Sequence, residues 1–120
     1  MKRYTFQELV DYTFYNRKGK AFFGWSRQEI EQSLYDSLGQ NTLFYSINQW
    51  GRINGIVHGV RFDDEKVIFV SNILATSKEV MREFVIRFSR MFPGYKLEAL
   101  RRNKRKIYNT ERLVKKITKE

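Results

Sequence analysis

The stretch VIFVSNILATSKEVMREFV constrains the fold more than any other part of this chain. Its continuous apolar run predicts a strand over 66–73 that is covered on both faces, and an amphipathic helix follows over about 77–92. The dipeptide Pro-Gly ends that helix, and YKLEALRR predicts another strand over 95–101. A helix that joins two such strands sets them parallel and adjacent through a right-handed crossover. The chain is therefore predicted to be an α/β protein with one parallel strand pair.

Capping boxes and β-rich runs place the other elements. In TFQE, SRQE and TSKE a hydroxyl residue precedes a glutamate by three positions, so Thr5, Ser26 and Thr76 are predicted to cap helices. Two antiparallel strands are predicted over 42–47 and 52–62. The resulting order predicts an α/β sandwich: a mixed sheet, made of an antiparallel meander plus one parallel crossover, with helices on both faces.

Composition limits the chemistry that the chain can carry. Its 120 residues and 14.5 kDa predict a single domain over 1–120. With no cysteine and one histidine, the chain lacks the ligands of thiolate or histidine-cluster sites, so we expect no metal. No apolar window reaches the roughly 20 residues of a membrane span, and the N-terminus lacks a signal-peptide pattern. We therefore expect a cytoplasmic protein without a membrane partner.

Positive charge is concentrated at the C-terminal end. Residues 96–120 hold 10 Lys and Arg against 3 Asp and Glu, within a formal net charge of +10 for the chain. This end is predicted as a basic hairpin or helix, which is typical of polyanion-binding proteins, although a solvated surface has the same composition. The candidate contact residues for nucleic acid or another acidic partner are Arg101, Arg102, Lys104, Arg105, Lys106, Arg112, Lys115 and Lys116.

Two local patterns leave alternatives open. Gly55 and Gly59, inside the second predicted strand, indicate either a bulge or the close approach of another backbone. In NRKGKAFFGW, over 16–25, cations precede aromatic residues, so this loop either stacks on unpaired bases or packs its aromatics into the core.

The predicted element order resembles the N-acetyltransferase (GNAT) superfamily over residues 5–101, and small proteins of this trimmed kind are encoded by tailed phages. The resemblance implies a cleft where the strand at 66–73 splays from the strand at 95–101. It also implies that acyl-coenzyme A lies in this cleft with its pyrophosphate on the turn equivalent to LATSKE.

The phosphate turn of the family is usually Q/R-x-x-G-x-G/A, and this chain supplies neither glycine. Glycine permits a close backbone approach that a Cβ obstructs, whereas amides at a helix start can still face an anion. An anion site and a simple helix cap are therefore both open interpretations of the turn, whose residues are Ala75, Thr76, Ser77 and Lys78.

The catalytic residues that the resemblance implies are only partly matched. The general base of the family is commonly a carboxylate on or beside the strand before the phosphate turn, and KVIFVSNI contains none. His58 can act as a base because its ordinary pKa lies near neutrality, although a lone histidine in a strand is also a common packed residue. The general acid of the family is often a tyrosine on a later helix, and Tyr108 occupies that part of the chain.

The basic C-terminal end and the resemblance together predict a non-catalytic or atypical GNAT-like binding protein. The resemblance to small phage proteins implies that the chain is phage-encoded, and in that case its location would be the host cytoplasm. Its basic C-terminal end would contact nucleic acid or an acidic protein surface. The alternatives are an N-acyltransferase with an unusual acyl donor and a structural or assembly subunit, so the question of catalysis stays open. We expect no cofactor, with acyl-coenzyme A as the candidate that the resemblance suggests. A second copy of the chain or a virion assembly partner is a further candidate partner.

Overall fold

The computed structural model describes residues 3–17, 19, 21–101 and 104–109. These residues form three helices and one mixed sheet of five strands. In chain order the elements are α1 (Phe6–Tyr15), α2 (Arg27–Gly39), β1 (Leu43–Ile47), β2 (Ile53–Phe62), β3 (Val67–Ala75), α3 (Lys78–Met91), β4 (Lys96–Arg101) and β5 (Lys104–Asn109).

The strands lie in the sheet in the order in which they occur along the chain. β1, β2 and β3 form an antiparallel meander, and β3 pairs with β4 in parallel from Val67 opposite Lys96 to Val70 opposite Ala99. β5 then returns antiparallel to β4. The meander and the parallel crossover pair that the sequence predicts are confirmed, whereas the handedness of the crossover stays a prediction.

Helices cover both faces of the sheet, as predicted. Successive residues of β2 point to opposite faces, so Ile56 packs in one core cluster and Val57 packs in the other. The first cluster contains the buried side chains of α1 and α2, namely Leu9, Val10, Ile30 and Leu34. The second contains those of α3, namely Val80, Phe84 and Phe88. The sheet therefore separates two cores.

Two of the three predicted caps are confirmed, and the third is displaced by one residue. Thr5 and Ser26 begin α1 and α2 with complete capping boxes. At α3 the N-cap is Ser77, whose hydroxyl accepts a hydrogen bond from the amide of Val80 at 3.3 Å. The prediction of Thr76 was wrong because its amide donates to the carbonyl of Asn54 at 3.2 Å. That bond extends the β2–β3 ladder and delays the helix by one residue.

The glycine at position 59 shows both features that the sequence predicts. The register shifts between His58, opposite Asn72, and Gly59, opposite Val70, so Ser71 is the extra residue of a β-bulge. A Cβ built on Gly59 would lie 2.5 Å from the carbonyl oxygen of Phe69, so this position also requires a close backbone approach.

Candidate functional site

Within the described residues, no strand covers the backbone edge of the outer half of β3 on the β4 side, and we call this the free edge. Pairing with β4 covers only Val67 to Val70, whereas β3 continues to Ala75. Beyond Val70, the described part of the chain supplies β3 with a neighbouring strand on the β2 side alone. The two parallel strands therefore do not stay paired over the second half of β3.

The hydrogen-bond alternation identifies which groups of β3 face this edge. The bond from the Thr76 amide to the Asn54 carbonyl marks an antiparallel hydrogen-bonded pair. Every second residue shares that orientation, so Leu74 also bonds toward β2. Ile73 and Ala75 alternate with it, and their N–H and C=O groups therefore point to the free edge.

A small cavity of about 170 Å³ lies against this edge. Its walls come from the last two turns of α1, through Tyr12 and Asn16, and from residues 73–76 of β3 and the turn after it. The Asn16 side-chain amide donates to the Tyr12 carbonyl at 2.8 Å, which ties that side chain to the helix. Burial raises the pKa of the Tyr12 hydroxyl, so at neutral pH it is a neutral hydrogen-bond donor.

Tyr12 and Asn16 were not predicted from the sequence as site residues. Their only signal is their spacing of one helical turn at the C-terminal end of a predicted helix, and most such pairs lie on a solvated surface. The cavity depends on where α1 lies across the sheet, which no local pattern specifies.

The turn between β3 and α3 contains the predicted anion residues. Thr76, Ser77 and Lys78 are exposed, and Ala75 is half-buried at the end of β3. Hydrogen bonds from the Glu79 backbone amide and then from the Ser77 hydroxyl lower the pKa of the Glu79 carboxyl. A carboxylate of the chain itself therefore uses two donors that an external anion would need, and the anion site stays a prediction.

His58, the predicted general base, lies inside the protein. Its side chain is buried and stacks on Phe22, with 5.2 Å between ring centroids. Nδ1 lies 3.2 Å from the Ser37 hydroxyl oxygen, and Nε2 lies 3.0 Å from the side-chain nitrogen of Asn72. Both ring nitrogens thus have protein partners, so a catalytic role would require this network to open.

The network defines the tautomer of His58. The Phe22 amide donates to Oδ1 of Asn72 at 3.0 Å, which turns the Asn72 NH₂ group toward His58. Nε2 must then accept, so the ring proton lies on Nδ1 and is donated to Ser37. The Ser37 hydroxyl in turn donates to the Gly59 carbonyl at 3.0 Å. Burial lowers the pKa of His58 to about 4, and the ring is neutral at pH 7.

Tyr108, the predicted general acid, is not brought near His58. It lies in β5 opposite Leu97, and His58 lies in β2, with β3 and β4 between the two strands. Three strand spacings amount to about 14 Å. The fold therefore separates the two residues that the resemblance would join in one reaction.

The β4–β5 hairpin brings several predicted cation positions together. The register sets Arg101 opposite Lys104, Leu100 opposite Arg105 and Ala99 opposite Lys106. β5 is the edge strand of the sheet on this side, so these positions lie along a sheet edge. The other predicted contact residues lie outside the described residues, and they are Arg102, Arg112, Lys115 and Lys116.

Within the residues that the structure describes, no cluster of three or more His, Asp or Glu side chains could hold a metal ion. No helix in the same residues is long and apolar enough to cross a membrane. No protein-family model, curated protein or solved structure matches this chain.

Proposed function

We propose that this chain is an atypical GNAT-like binding protein that contacts nucleic acid through its basic C-terminal end. The observation that carries the proposal is the β4–β5 register, which gathers Arg101, Lys104, Arg105 and Lys106 on one hairpin at the sheet edge. Glu98 is the only acidic residue within 96–109, so little local negative charge offsets these cations.

Phosphate neutralisation gives this proposal its physical basis. Each cation that meets a phosphate releases condensed counterions, which makes binding favourable at low salt and weak at high salt. The hairpin carries no recognition helix or base-reading signature, so we expect contact with the phosphate backbone and little sequence preference. An acidic protein surface is the competing ligand, because the same cations would also pair with carboxylates.

A salt titration tests the proposal. Binding of a fluorescent 20-nucleotide single strand is followed by anisotropy between 50 and 300 mM NaCl, with polyglutamate as the competing acidic polymer. For about five phosphate contacts we expect a log–log slope of about −3.5 on single strands and about −4.5 on duplex. Polyglutamate that displaces the oligonucleotide at equal charge concentration would instead indicate an acidic protein partner.

Two matched variants locate the surface. Neutralising Arg101, Arg102, Arg105 and Lys106 to Gln should abolish binding without unfolding the protein. Neutralising four exposed cations outside the C-terminal end, namely Arg3, Arg52, Lys66 and Arg90, changes the net charge equally and should leave most of the affinity. Equal losses in both variants would contradict the assignment.

The free edge of β3 favours a second candidate function, an N-acyltransferase with an unusual acyl donor. The outward N–H and C=O groups of Ile73 and Ala75 can pair with the amide groups of a pantetheine-like arm, and the cavity beside Tyr12 lies at that edge. A donor without pyrophosphate would not need the missing glycine turn.

Thermal-shift titration with acetyl-coenzyme A and with acetyl-pantetheine tests this second candidate. We expect both compounds to raise Tm equally, because acetyl-pantetheine lacks only the 3′-phosphoadenosine diphosphate part of acetyl-coenzyme A. The Tyr12→Phe variant should show a smaller Tm increase with both compounds. No shift with either compound would eliminate the acyltransferase and leave the binding protein as the proposal.

A further inference from the structure

β1 is the edge strand at the opposite side of the sheet from β5. The Gly59 amide donates to the Thr42 carbonyl at 3.1 Å, which marks a hydrogen-bonded pair in the β1–β2 ladder. Alternation from that pair turns the backbone groups of Leu43 and Tyr45 away from β2. The guanidinium of Arg87 confirms this orientation, because it donates to the Tyr45 carbonyl at 2.7 Å.

The side chain of Arg87 covers only part of this edge. Glu83 holds the guanidinium with an oxygen 3.2 Å away, and its other oxygen accepts from the Ser46 hydroxyl at 2.6 Å. Within the described residues, the Tyr45 amide and both backbone groups of Leu43 make no hydrogen bond. One carbonyl is therefore protected, and three outward groups are left for another strand.

An apolar cavity with cationic walls lies beside this edge on the α3 face. It measures about 430 Å³ and is lined by Phe44, Arg87, Arg90 and Met91. The Phe44 ring packs on Phe88, with centroids 4.8 Å apart, so the floor is fixed by the core. Met91 is 53% exposed at the rim. No described residue forms a hydrogen bond or ion pair with the exposed side chain of Arg90.

We propose that β1 binds an extended acidic peptide segment of a partner protein as an added sheet strand. The peptide backbone pairs with both backbone groups of Leu43 and with the Tyr45 amide, while Arg87 keeps the Tyr45 carbonyl. A carboxylate side chain opposite Phe44 reaches Arg90. Directly opposed residues of adjacent strands have Cβ atoms about 5 Å apart, so this position lies over the cavity. A carboxylate opposite Ser46 would instead meet Glu83 and be repelled. The edge thus selects both the charge and its position.

Charge distinguishes this partner from a second copy of the chain. Pairing two β1 strands would bring Arg87 and Arg90 of both copies together in chains that each carry a formal +10, which is unfavourable. An acidic strand is complementary to the same surface. The proposal is independent of nucleic-acid binding, because β4 and β5 lie at the other edge of the sheet.

Short capped peptides test the interface on the intact protein. The probe is acetyl-Thr-Val-Glu-Val-Thr-amide, and its two counterparts replace Glu by Lys or carry N-methyl groups on both valines. Binding is followed by ¹⁵N–¹H NMR titration and by amide hydrogen exchange. We expect the Glu peptide to bind about tenfold more tightly than the Lys peptide, and N-methylation to abolish binding. Exchange at Tyr45 should slow on binding, because that amide becomes paired.

A charge reversal distinguishes a defined contact from general attraction. Arg90→Glu should invert the preference, so that the Lys peptide binds more tightly than the Glu peptide. Lys66→Glu makes the same charge change in the exposed β2–β3 turn and should preserve the original preference. The proposal is overturned if Glu and Lys peptides bind equally, if the N-methylated peptide binds as well, or if exchange at Tyr45 is unchanged.

Discussion

The side-chain nitrogen of Asn72 lies 3.0 Å from Nε2 of His58, and this hydrogen bond determines where the histidine carries its proton. The amide of Phe22 fixes the orientation of Asn72 from the other side. Nδ1–H of the same ring is donated to Ser37 in α2. The hydrogen bonds that connect the loop at Phe22, strand β3 at Asn72 and helix α2 at Ser37 therefore require the ring proton of His58 to lie on Nδ1. His58 joins the first core to the sheet through this network.

Replacing Asn72 with Asp should shift the ring proton of His58. An Asp oxygen can still accept from Phe22, but the oxygen facing Nε2 has no proton to donate, so Nε2 must become the donor and the pKa of His58 should rise. Long-range ¹H–¹⁵N spectra report the tautomer without ambiguity because the chain has one histidine. Asn48→Asp is the matched control, because Asn48 uses only its oxygen in a turn. A neutral ring that still carries its proton on Nδ1 in the Asn72 variant would contradict the network.

Stability should fall as the pH is lowered from 6.5 to about 4. The unfolded chain protonates His58 near pH 6.5, whereas burial lowers the folded-state pKa to about 4, so the unfolded state binds more protons between these values. The full difference corresponds to roughly 3 kcal/mol. Urea denaturation at several pH values measures it, and His58→Gln should lose this part of the slope. An identical slope in both proteins would rule out His58 as its source.

Phe22 and Phe23 are adjacent, but truncation should greatly reduce stability only at Phe22. The Phe22 side chain has 0% exposure in the first core, and Phe23 is 81% exposed. Phe22→Ala removes a buried ring and should cost roughly 3–5 kcal/mol, whereas Phe23→Ala should stay within about 0.5 kcal/mol. Chemical denaturation measures both values. Similar losses would show that the loop is not held in the core by Phe22.

Gly59→Ala should be destabilising where Gly39→Ala is not. A Cβ at position 59 would meet the Phe69 carbonyl oxygen at 2.5 Å, and this atom belongs to the ladder and cannot rotate away. We expect a cost of about 1–3 kcal/mol. Gly39 ends α2, and a Cβ at that position would have no other atom within 4 Å, so Ala should be neutral or stabilise by up to about 1 kcal/mol. Urea denaturation tests this prediction through the difference between the unfolding midpoints of the Gly59→Ala and Gly39→Ala variants.

Ser77 and Thr76 are adjacent hydroxyl residues at the start of α3, and replacing them with Ala should change stability by different amounts. Ser77 accepts the Val80 amide as the N-cap, so Ser77→Ala should cost about 1 kcal/mol. Thr76 is exposed and contributes its backbone to the ladder, so Thr76→Ala should change stability little. Thermal denaturation of the two variants compares them. A larger loss of stability in Thr76→Ala than in Ser77→Ala would instead support Thr76 as the N-cap, as the sequence pattern predicts.

The local sequence predicts the elements and their order because each has its own signal. The hydroxyl–glutamate spacing at Thr5 and Ser26 gives the first two helix starts, and the interval between strands 66–73 and 95–101 is long enough for a helical crossover. At Thr76 the local pattern predicts the wrong cap because a tertiary bond, from the Thr76 amide to the Asn54 carbonyl, competes with it. Local patterns cannot account for a partner that lies 22 residues away.

The sequence by itself determined the α/β class, the parallel pair and the concentration of positive charge at one end, because periodicity and composition act over neighbouring residues. Only the tertiary structure decided that His58 is a buried neutral ring, that Tyr12 borders a cavity at the free edge of β3, and that Arg90 lines a cavity beside β1. Those properties depend on which surfaces of distant elements meet. Burial, pKa and hydrogen-bond partners are set by that packing, and no single segment of the chain encodes them.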